Sequence, residues 1–176
     1  RDLNHPATEA YIKELDGEEI EIEFITDALA RHEKETNVSI AGIVAQPLSY
    51  LSLSIDSSLP FNTYSGVEGR VVSPEAWSFH KGLTFSKRKN LTKKLKDLYG
   101  IWYATTQLGD FSLHAVKNLI SYKSEHYSWW KKFENNVENW IEAATPAIWA
   151  QLEMQDPSGL LKKQSFIRMV KNILES

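Results

Sequence analysis

Apolar residues keep two different rhythms in this chain, and the changeover falls at Ser73-Pro74-Glu75. Ahead of it, residues 18–26 alternate. Ile20, Ile22 and Phe24 fall on one face and Glu19, Glu21 and Glu23 on the other, which predicts a strand with one buried face. Behind it, apolar residues recur every three or four positions. Ser73 suits a helix cap and Pro74 the first turn, so a run of helices is expected from there on. The chain therefore reads as α+β, with a mixed-sheet portion over residues 1–73 and a helical domain over 74–176.

Within this frame the expected elements are as follows. Tyr11, Ile12 and Leu15 share a helical face, so residues 7–15 read as a short helix after His5-Pro6. Asp16-Gly17 is a turn. Residues 27–37 are polar and mixed and read as a mobile loop, and 38–44 as a second strand. Leu48, Leu51 and Ile55 sit at helical spacing, which predicts a helix over 46–54. Short strands are expected near 61–64 and 67–72. In the helical part, Ala76, Phe79 and Leu83 face inward on the first helix. Leu91, Leu95, Leu98, Tyr99 and Trp102 form the stripe of the second, and residues 111–122 the third. Trp130, Phe133, Val137, Trp140 and Ile141 mark the fourth. Pro146 opens a short fifth, and Asp156-Pro157 is expected to cap a last helix carrying Ile167, Val170 and Leu174.

Composition narrows the class. Apolar residues make up 42% of the chain, with six Trp, which is enough for a core. There is no cysteine, which excludes disulfides and thiolate zinc sites. No apolar run is long enough to span a bilayer, so a cytoplasmic location without membrane partners is expected. The net charge of −3 hides an asymmetry. Residues 1–36 hold eleven acidic and four basic side chains, whereas residues 79–97 hold seven basic side chains and only Asp97. Such a basic segment in an acidic protein is either a solvated helix face or a site for an anion such as nucleotide or RNA.

Three segments in register resemble a bacterial nucleotidyltransferase-like family. Ile22-Glu23-Phe24-Ile25-Thr26 is similar to its strand reading hydrophobic-Glu-Phe-Leu-Thr. The stretch from Ala45 through Gln46, Pro47, Leu48, Ser49 and Tyr50 to Leu51 is similar to its Ala-Gln-Pro-Leu-Arg-Tyr-Leu. Pro74, Glu75, Phe79, His80 and Lys81, followed by Arg88, Lys93, Lys96 and Asp97, resemble its block with a His-Lys pair, an Arg and a Lys-x-x-Lys-Asp run. The resemblance covers roughly residues 18–108. It implies a nucleotidyltransferase-like mixed sheet followed by helices. It also implies transfer of a nucleoside monophosphate from a nucleoside triphosphate to an acceptor, with RNA or tRNA among the candidates. Two divalent metals, Mg²⁺ by expectation, would be held by three carboxylates. The chain departs from the pattern at Ser49 and Ala76, where Arg is usual. It also contains no Gly-Ser dipeptide and no Asp-x-Asp pair. The expectation is that this is an incomplete piece of a longer protein, inactive in transfer by itself. The alternative is a non-catalytic module binding nucleotide, RNA or protein. A component of a toxin–antitoxin or phage-defence system is a third class.

The resemblance makes Glu23 the third metal carboxylate, although spacing alone does not separate it from Glu19 and Glu21 as a solvent-side strand residue. Lys81 and Arg88, two turns apart and so on one helix face, are read either as triphosphate ligands or as a basic surface. His80 joins this phosphate-binding set in an orienting rather than catalytic role. Asp97 either pairs with Lys93 four residues earlier or orients a phosphate-binding cation. Lys93, Lys94 and Lys96 read as solvated, with nucleic-acid backbone as the other option. Trp130 and Trp140 are expected in the core and Trp129 off it. His5, His32, His114 and His126 show no ligand spacing.

Overall fold

The chain divides into two compact units, Arg1–Leu53 and Ser54–Ser176. The computed structural model describes residues 10–28 and 37–176. The architecture is α+β with a mainly helical C-terminal part.

In the first unit, β1 (Ala10–Leu15) pairs antiparallel with β2 (Glu18–Glu23), placing Tyr11 opposite Ile22 and Leu15 opposite Glu18. The helix expected over residues 7–15 is thus a strand wherever it falls on described residues; residues 7–9 lie outside them. Asp16 and Gly17 both have positive φ, 53° and 81°. Two left-handed residues form the two-residue turn whose twist matches a hairpin. The turn chemistry therefore overrides the helical spacing of Tyr11, Ile12 and Leu15. The expected buried face of residues 18–26 does not form either. Every residue of β2 is exposed, Ile20 at 43% and Ile22 at 56%.

The chain resumes as β3 (Ile25–Asp27), parallel to β5 (Ile43–Leu48), whose other edge pairs antiparallel with β4 (Val38–Ile40). The result is a mixed sheet in the order β3-β5-β4. The single strand expected over 38–44 is a hairpin, because Ala41 and Gly42 turn with φ of 51° and 84°. The loop expected over 27–37 begins later, since Asp27 ends β3 and its Oδ1 accepts the Leu51 N–H at 3.0 Å. Residues 29–36 of that loop lie outside the described residues. The helix expected over 46–54 shortens to α1 (Leu51–Asp56), because Gln46, Pro47 and Leu48 belong to the β3–β5 ladder.

The second unit opens with an antiparallel hairpin of β6 (Ser58–Asn62) and β7 (Glu68–Val72), close to the expected positions. Helices follow: α2 (Pro74–Thr84), α3 (Leu91–Thr106), α4 (Asp110–Glu125), α5 (Tyr127–Ala143), α6 (Pro146–Glu153) and α7 (Lys163–Leu174). The start of α2 is as anticipated, with the Ser73 side chain accepting the Ala76 N–H and Pro74 in the first turn. This helix is central, packing against α3, α4 and α5. Ala76, Phe79 and Leu83 are fully buried. The Phe79 ring lies 5.0 Å from that of Tyr122, 5.5 Å from Phe133 and 6.1 Å from Trp130. Burying each such side chain contributes roughly 1.5–3 kcal/mol, so this cluster is where the stability of the unit accumulates.

A second aromatic group joins α5, α6 and α7, where Trp140, Trp149 and Phe166 meet edge to face at 4.7–5.8 Å. Asp156-Pro157 does not cap α7. Lys162 occupies the cap position, while Asp156 accepts the N–H groups of Ser158 and Leu161 and folds the connecting loop. The inward stripe of α7 is Phe166, Met169, Val170 and Ile173, so Ile167 and Leu174 flank it rather than lead it. No described helix is long and apolar enough to cross a membrane.

Candidate functional site

The site residues of the second unit are positioned by the way α2 stops. Lys81 lies in the last turn, where a cation suits the negative end of the helix dipole. Gly82 follows, and the Phe133 ring fills the space that a side chain would need. A Cβ on Gly82 would stand 2.1 Å from Phe133 Cδ2. The Asn136 side chain on α5 donates to the carbonyls of Gly82, at 2.9 Å, and Leu83, at 3.3 Å, which satisfies groups that a helix end leaves open. The backbone tightens into a 3₁₀ turn over Phe85–Lys87 and leaves it extended at Arg88. Asn90 then caps α3 by accepting the Lys93 N–H at 3.0 Å.

Because α3 returns along α2, Asp97 comes back beside Lys81. Lys81 Nζ lies 3.1 Å from Asp97 Oδ1, and Arg88 Nε donates to Asp97 Oδ2 at 2.9 Å. The Asp97 side chain is 9% exposed, that of Lys81 19% and that of Arg88 41%. Lys81 and Arg88 therefore do not share a helix face, since α2 has ended before Arg88, but they meet on one carboxylate. Asp97 pairs with these two cations rather than with Lys93. One carboxylate against two cations leaves the group with one net positive charge. Arg88 meets Asp97 through its Nε, and its side chain stays 41% exposed. A held ammonium beside an open guanidinium is a chemical match for phosphate oxygens. Lys89, Lys93 and Lys96 are exposed nearby in the sequence and add positive field.

His80 is half-buried on α2, and its carbonyl accepts the Thr84 hydroxyl at 2.8 Å. Glu23 lies in the first unit, exposed at the end of β2 opposite Ala10. The register puts Glu19, Glu21 and Glu23 on one face with Glu14, which stands directly opposite Glu19. Among the described residues, no three His, Asp or Glu side chains stand together as a group fit to hold a metal ion. Trp130 and Trp149 are buried and Trp140 is half-buried in the core. Trp129 is half-buried and stacks on His126 with ring centroids 5.1 Å apart.

One part of the site carries no motif. Beside the ion cluster, Val71, Pro74, Trp77, Tyr99, Gly100 and Tyr103 help to line an open cleft of about 520 Å³. Trp77 lies against the α3 backbone at Gly100, and Lys81 Nζ sits 5.4 Å from the centroid of its ring. Burial, followed by the charges of Asp156 and Tyr103, raises the Tyr99 phenol above its ordinary value. The available signal was spacing: Trp77 falls one turn before Lys81 and Gly100 one turn after Asp97.

Residues 2–108 match a protein family described as Nucleotidyltransferase, extending the resemblance of residues 18–108 toward the N-terminus. No curated protein and no solved structure matches the chain. The family match spans more than half of the sequence and includes β1 through α3 with Lys81, Arg88 and Asp97. The chain belongs to this nucleotidyltransferase family.

Proposed function

We propose that this chain serves the metal-dependent transfer of a nucleoside monophosphate from a nucleoside triphosphate, with Lys81 and Arg88 receiving the triphosphate. The observation that carries the reading is the convergence of both cations on Asp97, which holds them in place and leaves them one net positive charge. Lys81 offers a compact point charge and Arg88 a planar fork. Asp97 acts as a positioning residue, and His80 orients the turn that carries Lys81. Membership of the family supports a nucleoside triphosphate as the substrate.

Enzymes of this kind generally use divalent metals such as Mg²⁺, which would supply positive charge to the transferred phosphate. Glu23 is proposed as one metal carboxylate. Among the described residues no three such side chains stand together, and Glu23 would need further ligands to hold a metal. A second reading, a nucleotide- or RNA-binding module without transfer, is favoured by the exposed Lys89, Lys93 and Lys96.

The test is calorimetric titration with ATP and Mg²⁺. Lys81→Ala is expected to weaken binding by about 1–3 kcal/mol, the scale of a charge-assisted hydrogen bond. Lys93→Ala should weaken it far less, and that small effect should fade with salt. Equal, small effects at both positions would mean that the segment is a solvated face.

A further inference from the structure

We infer that the cleft beside Trp77 receives the base of the nucleotide whose phosphates Lys81 and Arg88 hold, and that it does so by stacking, without a hydrogen-bond code for one base. The inference rests on the phosphate reading above and names the other end of the same ligand.

The groove between α2 and α3 changes character along its length. Pro74, Trp77 and Lys81 follow one another on α2 at helical spacing, and Ala104, Gly100 and Asp97 do so in reverse on α3. Trp77 and Lys81 are one turn apart, about 6 Å along the axis. The apolar end of the groove thus abuts its cationic end, and Trp77 belongs to both. Its indole lines the cleft while Lys81 Nζ lies 5.4 Å from its ring centroid. Gly100 makes this possible, because a Cβ there would stand 2.2 Å from Trp77 Cη2. On the same wall, Tyr103 is 43% exposed and lies 5.9 Å from the ring of Tyr99.

An occupant must be apolar and planar at one end and anionic at the other, with the two ends about one helical turn apart. A nucleoside phosphate satisfies this; a purely apolar chain leaves the cations unanswered. The lining offers side-chain hydrogen-bonding atoms only at Trp77, Tyr99 and Tyr103. Stacking on such rings tolerates any base, because every base has a π face. Purines, with more area, should bind better than pyrimidines, and adenine and guanine should bind alike.

The test titrates the whole chain with ATP, GTP, CTP, UTP and inorganic tripolyphosphate. Tyr103→Leu should weaken ATP by about tenfold, the scale of one lost stacking contact, and leave tripolyphosphate unchanged. Arg88→Ala should weaken both ligands. ATP and GTP should agree within about threefold, well inside the discrimination a dedicated hydrogen bond gives. If Tyr103→Leu and Trp77→Leu bind ATP as the wild type does while Arg88→Ala weakens it, the base lies elsewhere and the phosphate reading survives. If Arg88→Ala leaves tripolyphosphate binding intact, or neither ligand binds, the phosphate reading falls and this inference with it. Should Trp77→Leu fail to fold, Tyr103→Leu at its half-open position decides alone. A strong preference for one purine over the other would overturn the stacking account.

Discussion

The β1–β2 hairpin and the α2-centred core obey different rules. In the hairpin every residue of β2 is exposed, and two left-handed turn residues together with backbone pairing define the structure. Around α2, Phe79, Leu83, Leu98, Leu119 and Trp130 lose all or nearly all of their contact with solvent, and burial defines the structure. Where little is buried, a sequence is read through its turns; where much is buried, it is read through its apolar period. All six Trp lie in the second unit, so their fluorescence reports on that unit alone.

The sharpest way to break this contrast is a matched pair of truncations. Phe79→Ala should lower the stability of the second unit by about 3–5 kcal/mol, the cost of a large cavity. Ile22→Ala, at a 56% exposed position, should change stability by less than about 1 kcal/mol. Denaturant titration followed by far-UV circular dichroism, which sees both units, distinguishes them. A midpoint that moves as far for Ile22→Ala as for Phe79→Ala would erase the distinction.

A second comparison uses glycine. Gly82→Ala gains about 1 kcal/mol of helix propensity but drives a methyl into the Phe133 ring, an overpacking cost of about 1–3 kcal/mol or more. The steric cost should win, leaving a net loss of stability. Gly17→Ala meets no atom within 4 Å, yet must hold φ near 81°. It should cost about 1–2 kcal/mol through conformation alone, visible in far-UV circular dichroism melts and silent in tryptophan fluorescence. Equal fluorescence shifts for both variants would contradict this.

At the ion cluster, Asp97→Asn leaves two cations facing each other around a buried amide. The loss of stability should be about 1–3 kcal/mol, reduced from the fully buried case because Arg88 is 41% exposed. Asp97→Glu should restore part of the ATP affinity that Asp97→Asn removes. A purely structural carboxylate would restore stability without affinity, so calorimetry and melting measured together decide between the two roles.

The smallest effect is set by pH. The Ser158 hydroxyl, helped by the N–H groups of Leu161 and Ser158, holds the Asp156 carboxyl below its ordinary value against the opposing effect of burial. The folded state thus binds this proton less readily than the unfolded state does. The stabilisation is present above the unfolded value near pH 4 and is lost as the pH falls through the folded one. Melting temperatures recorded from pH 5 downward should fall less steeply in Asp156→Asn. An unchanged slope would exclude Asp156 as a contributor.

These contrasts explain what was legible in the sequence. The stripes of α2, α3 and α5 were readable because burial and period coincide there, as at Phe79 and Leu83 or Trp130, Phe133 and Val137. The strands of the first unit were misread where short apolar spacing imitates a helix. Tyr11, Ile12 and Leu15 fit a helical face, but Asp16-Gly17 closes a hairpin. Ala41-Gly42 likewise divides what looked like one strand. The three cluster residues were individually visible, and their meeting was not. Spacing offered Lys81 with Arg88 on one face and Asp97 with Lys93 in one turn. The observed pairing depends on where α2 stops and on α3 returning beside it, and neither is local. Trp77 carries no local signal, because its partner, Gly100, contributes an absence of side chain.

The bend that ends α2 is fastened from α5, through the two carbonyls that Asn136 holds. The family match closes at residue 108, so this fastening comes from sequence beyond it. Lys81, Arg88 and Asp97 are therefore not a cassette that travels with their own segment. A chimera carrying residues 74–108 into another helical scaffold would inherit the charges but not the bend that sets Arg88 against Asp97. Grafting that spares Asn136 and its seat on α2 is what would keep the cluster whole.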